Sequence, residues 1–354
     1  MRLSSPGIFT GSAARRSEAR QQAPPRPCNY RVSSHTVSFS ILKKRKRYAG
    51  WGHGLSAARR ALDGQGIALM MVLCVCWGLQ QVAVKLAAPS MNPVMQMGVR
   101  SAIGALLVLG LMCWRRDNFS LRDGTFWPGV MAGLLFGAEF LCIALGLTFT
   151  SAAHMSVFLY TAPVFTVLGL QWLVPGERLH PRQWVGILLA FAGIAITFAN
   201  GFSAGSGDLP AMLIGDALGV LAALMWAATT VLIRTTSLSE TQPSKTLMYQ
   251  LLVSAILLLA VAGSLGYATD ISMTAIAWYS LFFQIVIVSF ASYLAWFWIL
   301  RTYLATRVSV FSFLTPLFGV GFGILLLNES VSTAFLMGAV LVLAGIVMVN
   351  VKKG

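Results

Sequence analysis

Residues 154–165 read HMSVFLYTAPVF, and residues 307–318 read RVSVFSFLTPLF, with the Ser-Val-Phe core and the proline in matching places. Working outward, Glu177, Gly186 and Gly193 recur at a constant offset as Glu329, Gly338 and Gly345. Towards the N-terminal side, Trp77 and Lys85 are matched by Trp226 and Arg234, and Pro93 and Arg100 by Pro243 and Gln250, each pair at equal spacing. Order and spacing are kept across both copies, so the chain is built from two related halves.

Each half is a series of long apolar runs. Hydrophobic residues make up 57% of the 354 positions and charged residues 10%, against about a quarter charged in a soluble domain. The mean hydropathy is +0.75. A bilayer-crossing helix needs about 20 apolar residues. Such runs fall at about 66–87, 93–113, 128–148, 152–173, 183–202, 211–233, 246–266, 276–300, 306–327 and 331–350. The expected fold is therefore an all-α polytopic membrane protein of about ten transmembrane helices. Residues 64–202 hold spans one to five, and 211–350 hold spans six to ten. A unit with an odd number of spans makes the second copy enter the membrane the opposite way up. That is an inverted five-helix repeat, whose substrate site is expected near the midplane between the halves.

The net charge of +15 is mostly the property of a tail. Residues 1–62 mix Pro, Ser, Arg and Gln around the run Lys43, Lys44, Arg45, Lys46, Arg47 and show no sustained hydrophobic period. They read as a basic, solvated cytoplasmic tail or as a start assigned too far upstream, with no nucleic-acid partner expected. Beyond the tail, Lys and Arg are one-sided. Arg115, Arg116 and Arg122 follow span two, Arg178 and Arg182 span four, and Arg234 and Lys245 span six. Arg301 and Arg307 follow span eight, and Lys352 and Lys353 span ten, whereas the alternate turns contain neither residue. By the positive-inside rule both termini are cytoplasmic. The expected location is the bacterial plasma (inner) membrane.

Few polar residues lie deep in the spans. Glu139 sits midway along span three, where a carboxylate is costly enough to face the bundle interior or a wet cavity. It reads either as a proton- or cation-handling group or as the structural partner of Arg100 on span two, whose depth differs by only about 5 Å at 1.5 Å rise per residue. The second half carries Gln250 and Ser292 at the corresponding positions. Pro163 and Pro316 remove a backbone donor in mid-span and free the carbonyls of Leu159 and Ser312, which predicts helix kinks beside a central cavity. Tyr160, Trp77, Gln80 and Gln81 are candidate substrate contacts, with interhelical packing as the alternative. Lys85 and Arg234 are expected to snorkel to the interface. Glu177 and Glu329 are expected to favour the N-terminal ends of spans five and ten. His154, at the opening of span four, reads as interfacial. Gly129, Gly133 and Gly137 line one face of span three and permit close helix contact.

These features together resemble the EamA-domain branch of the drug/metabolite transporter superfamily. The resemblance rests on Trp77-Gly78 with Lys85, on TSAAHMSVFLYTAPVF entering span four, and on GERLHPRQWVGILLAFAGI echoed by NESVSTAFLMGAVLVLAGI. It covers about residues 64–350 and leaves out the tail. What it implies is a secondary transporter of a small metabolite or drug, working outward and driven by protons, without a cofactor. The alternatives are an importer of the same superfamily and an intramembrane enzyme. The sequence has no HExxH and no phosphate-cradling loop to support the latter. Small residues on helix faces permit a homodimer.

Overall fold

Apolar runs that meet no water must satisfy their backbone groups internally, and among the described residues every such run is helical. The computed structural model describes residues 63–117, 120–173, 181–203, 209–269, 271–302 and 314–350. The tail 1–62, Glu177, Arg178, Arg307 and Ser312 lie outside them. The helices are α1 (Gly64–Ala87), α2 (Pro93–Arg115), α3 (Phe126–Phe149), α4 (Ala152–Leu159), α5 (Ala162–Leu173), α6 (Pro181–Ser203) and α7 (Leu209–Thr235) in the first part of the chain. They continue as α8 (Pro243–Ser264), α9 (Ala275–Phe282), a π-helical segment (Phe283–Ser292), α10 (Tyr293–Thr302), α11 (Leu314–Leu327) and α12 (Thr333–Asn350).

Among the described residues, seven helical segments are long and apolar enough to cross a membrane, and three shorter apolar helices accompany them. The protein is thus a polytopic membrane protein. Helix starts follow local rules. The Asp63 carboxylate accepts from the Gly66 amide at 2.8 Å, and Asn92 accepts from the Val94 amide at 2.9 Å ahead of Pro93. Ser151 caps α4 by accepting from the His154 amide at 3.0 Å.

Helix pairing respects the repeat. α1 lies on α11 just as α7 lies on α4 and α5, and α3 lies on α8 just as the π-helical segment lies on α2. The pairs α2 with α8, α4 with α11 and α6 with α12 map onto themselves when the halves are exchanged. At the α6–α12 crossing the repeated glycines oppose one another: a Cβ on Gly193 would lie 2.6 Å from the Gly338 carbonyl oxygen, and one on Gly345 would strike the Gly186 carbonyl. On α3, a Cβ on Gly133 would lie 2.7 Å from the Tyr249 carbonyl oxygen, so only glycine admits α8 there.

The turns sort into two groups. Ser237 donates to the Gly124 carbonyl at 3.0 Å and Ser244 to Asp117 at 3.1 Å, joining the turns that carry basic residues. At the other end the Ser272 amide donates to the Ser90 carbonyl at 2.9 Å. In the basic group Lys245, which is buried, donates to the Asp123 carboxylate and to the Ser120 carbonyl, each at 2.5 Å. That ion pair, with the Thr125 hydroxyl, pulls the Asp123 carboxyl down to about 2. A depressed carboxylate stabilises the fold above its unfolded value and loses that contribution as pH falls. The wild-type protein is therefore expected to lose stability between about pH 4 and pH 2. Asp123→Asn should flatten that part of the profile, as followed by thermal unfolding in detergent across the range. An identical profile for the variant would remove this pair from acid unfolding.

Candidate functional site

The interior is assembled from four elements. α2 brings Arg100, α3 brings Glu139 with Phe136 and Phe140, the junction of α4 and α5 brings Tyr160, and α10 opens with Tyr293. Arg100 is fully buried, and its three guanidinium nitrogens have no hydrogen-bond partner among the described residues. Its charge lies instead over the Phe140 ring, 4.2 Å from the centroid.

The Arg100–Glu139 bridge is not formed: the described carboxylates in contact with a basic side chain are Glu329 with Lys85, Asp123 with Lys245, and Asp216 with the His154 imidazole. Phe140 follows Glu139 by one position, about 100° round the helix, so the face of α3 that meets Arg100 presents the ring and not the carboxylate. Glu139 is buried, yet stays within electrostatic range of Arg100, Tyr160 and Tyr293. Phe136 packs edge-on against Phe140 at 4.7 Å and Tyr293 at 6.4 Å, and Tyr160 edge-on against Trp226 at 5.5 Å. The result is one arginine and one acid inside an aromatic shell.

Span four is interrupted rather than gently kinked. α4 ends at Leu159, and the chain turns through Tyr160 and Thr161 before Ala162 starts the next helix, with Pro163 at its second position and the Thr161 hydroxyl donating to the Phe158 carbonyl at 2.7 Å. Pro316 lies near the start of α11, and the Ser312 carbonyl it would free is outside the described residues. On α1, Trp77 donates through Nε1 to the Ser292 hydroxyl at 2.9 Å and meets Trp296 edge-on at 5.5 Å. Gln80 and Gln81 are buried, Gln81 Oε1 without a partner among the described residues. Gln250 is buried on α8 next to Leu251, which belongs to the same apolar core as Phe136, Phe140 and Tyr160.

Three further polar groups are held by partners that the sequence does not announce. The first is on the π-helical segment, where Gln284 donates to Gln96 Oε1 at 3.0 Å and to the Ser280 hydroxyl at 3.1 Å. Gln96 in turn donates to the Val84 and Met91 carbonyls at 3.1 and 2.8 Å. The second is His154, which is buried within the protein: its Nδ1 meets the Asp216 carboxylate at 2.9 and 3.0 Å while its ring stacks on Phe335 at 4.0 Å. Asp216 also accepts from the Thr150 hydroxyl at 2.5 Å.

The third is Glu329, which caps α4 and not the following helix. Its two oxygens accept from the Ala152 and Ala153 amides at 2.7 and 3.0 Å, and Oε1 also meets Lys85 Nζ at 3.4 Å. The cause is local: Asn328 takes a left-handed φ of 53°, which turns the chain after α11 back towards α4, while Ser332 caps α12. Lys85 also donates to the Thr150 carbonyl at 2.8 Å. Lys85, Thr150, Ser151, Met212 and Glu329 line a cleft of about 510 Å³ at the end of the bundle whose turns lack Lys and Arg.

Residues 64–199 and 213–351 each match the EamA-like transporter family. The chain is 28% identical to the uncharacterised transporter YvbV of Bacillus subtilis, over 80% of this chain and 91% of that protein. It is 26% identical to a protein of Escherichia coli K12 named as a probable amino-acid metabolite efflux pump, over 78% of this chain and 92% of the relative. A solved crystal structure aligns over 80% of this chain and 96% of its own with a TM-score of 0.56 at 17% identity, a likeness of fold.

Proposed function

Because the chain belongs to the EamA-like transporter family, within the drug/metabolite transporters, we propose that it is a secondary active exporter of a small metabolite or drug, coupled to protons through Glu139. Ten spans in two inverted five-span repeats work by alternating access, and both termini face the cytoplasm of a bacterial inner membrane. The observation that carries the reading is Glu139 and Arg100 buried together without forming a pair. Two opposite charges left unpaired in a membrane interior are costly, and a proton and a substrate are the species that would settle them in a transport cycle.

The exchange-symmetric helix pairing supports the repeat, since a bundle whose halves pair identically has two equivalent closures, one towards each side. The name of the Escherichia coli relative supports outward movement. The test is uphill movement in proteoliposomes under an imposed pH gradient, screened over metabolites and toxic cations. Movement that dissipates the gradient is expected, and passive equilibration of every compound would overturn the reading. For the topology, a reporter active only on the exported side and fused at Gly354 is expected to be silent.

A further inference from the structure

We infer that the species Arg100 awaits is a carboxylate, so that the substrate is a small organic acid or zwitterion whose single anionic group docks on this guanidinium. The inference rests on the transporter reading and names its substrate class. An arginine is charged at any physiological pH and presents five N–H donors in a rigid fork. Burying it with all three nitrogens unpartnered leaves those donors unmet, a state that costs far more than a made hydrogen bond returns. The Phe140 ring offsets part of the charge but accepts none of the in-plane N–H groups.

The chain's own anions do not fill the gap. Among the described acids, Asp216 is occupied by His154 and Thr150, Glu329 by Lys85 and the α4 amides, and Asp123 by Lys245. Glu139 shares the interior but forms no ion pair there. The matching ligand is planar and bidentate, which is the geometry of a carboxylate. A dianion fits poorly, since with Glu139 as the other charge here its second charge meets no further cation among the described residues around Arg100. Phe136, Phe140 and Tyr293 around the site suit an apolar or aromatic body attached to that carboxylate.

The test uses the purified full-length protein titrated with hydrocinnamate, L-phenylalanine and L-leucine, and with the primary amide of each, following ligand-induced thermal stabilisation. At least one acid is expected to bind about ten- to a hundredfold more tightly than its amide. Arg100→Gln should erase the acid-over-amide preference, and Arg100→Lys, which keeps the charge without the fork, should keep only part of it. Equal binding of acid and amide to the wild type, binding by none of the acids, or an undiminished preference in Arg100→Gln would each overturn the inference. If Arg100→Gln fails to fold, the wild-type comparison and Arg100→Lys decide. Proteoliposomes separate the two levels: uphill movement of amides or amines with acids ignored removes the carboxylate site and leaves the transporter, whereas acid-selective binding without any uphill movement does the reverse.

Discussion

Glu139→Gln is expected to abolish uphill, proton-driven movement, lowering substrate-dependent proton flux by about a hundredfold or more, while the protein stays folded and binds substrate. Glu139 is a membrane-embedded acid that the fold leaves unused: it is buried in α3, and none of the ion pairs among the described residues includes it. A purely structural carboxylate would be paired or capped, as Asp216 and Glu329 are. Glutamine keeps shape and polarity and loses only the exchangeable proton, so binding is spared. Glu139→Asp shortens the side chain by one methylene and should retain part of the flux. Proton flux in vesicles and thermal unfolding in detergent give the two readouts. Wild-type coupling in Glu139→Gln would remove this residue from the mechanism, and a large stability loss common to Glu139→Gln and Arg100→Gln would mark the two as a structural pair.

The second large effect is expected at the cleft. Glu329→Ala leaves the Ala152 and Ala153 amides without acceptors and Lys85 without its counter-charge, the three interactions that tie the α11–α12 turn to α1 and α4. Losing a helix N-cap costs about 0.5–2 kcal/mol, and stranding the lysine adds to that, so about 2 kcal/mol in total is expected. Glu329→Gln should cost less, because its amide oxygen still accepts from one backbone amide. A double-mutant cycle with Lys85→Met, read by thermal unfolding, isolates the ion pair. Unchanged stability in Glu329→Ala would mean that water replaces the carboxylate at the α4 terminus without loss.

The same turn shows where reading the sequence stops. Glu329 stands just before one helix, and the sequence assigns its charge to that helix. Yet α4 presents an equivalent N-terminus, and only the left-handed Asn328 and the arrangement of α4 beside α11 decide between them. Rise per residue alone likewise sets Arg100 and Glu139 at nearly equal depth. Whether they touch depends on the rotation of α3 about its axis, a matter of about 100° per residue, and packing chose Phe140. The π-helical segment carries no proline or glycine to mark it, so FQIVIVSFAS reads as an ordinary apolar span. His154 and Asp216 lie on different spans, and nothing in their spacing says that they meet.

By itself, the sequence determined the membrane class, the all-helical architecture, the two related halves and the family, because these follow from the length of apolar runs, the side on which Lys and Arg fall, and motifs repeated in order. The bilayer imposes those constraints residue by residue along the chain. Tertiary structure alone decided which polar side chains find partners: Asp216 and Glu329 do, and Arg100 does not. A hydrogen bond requires donor and acceptor within about 3 Å, and that distance between separate helices is fixed by their rotation and crossing, to which the linear order of residues is blind.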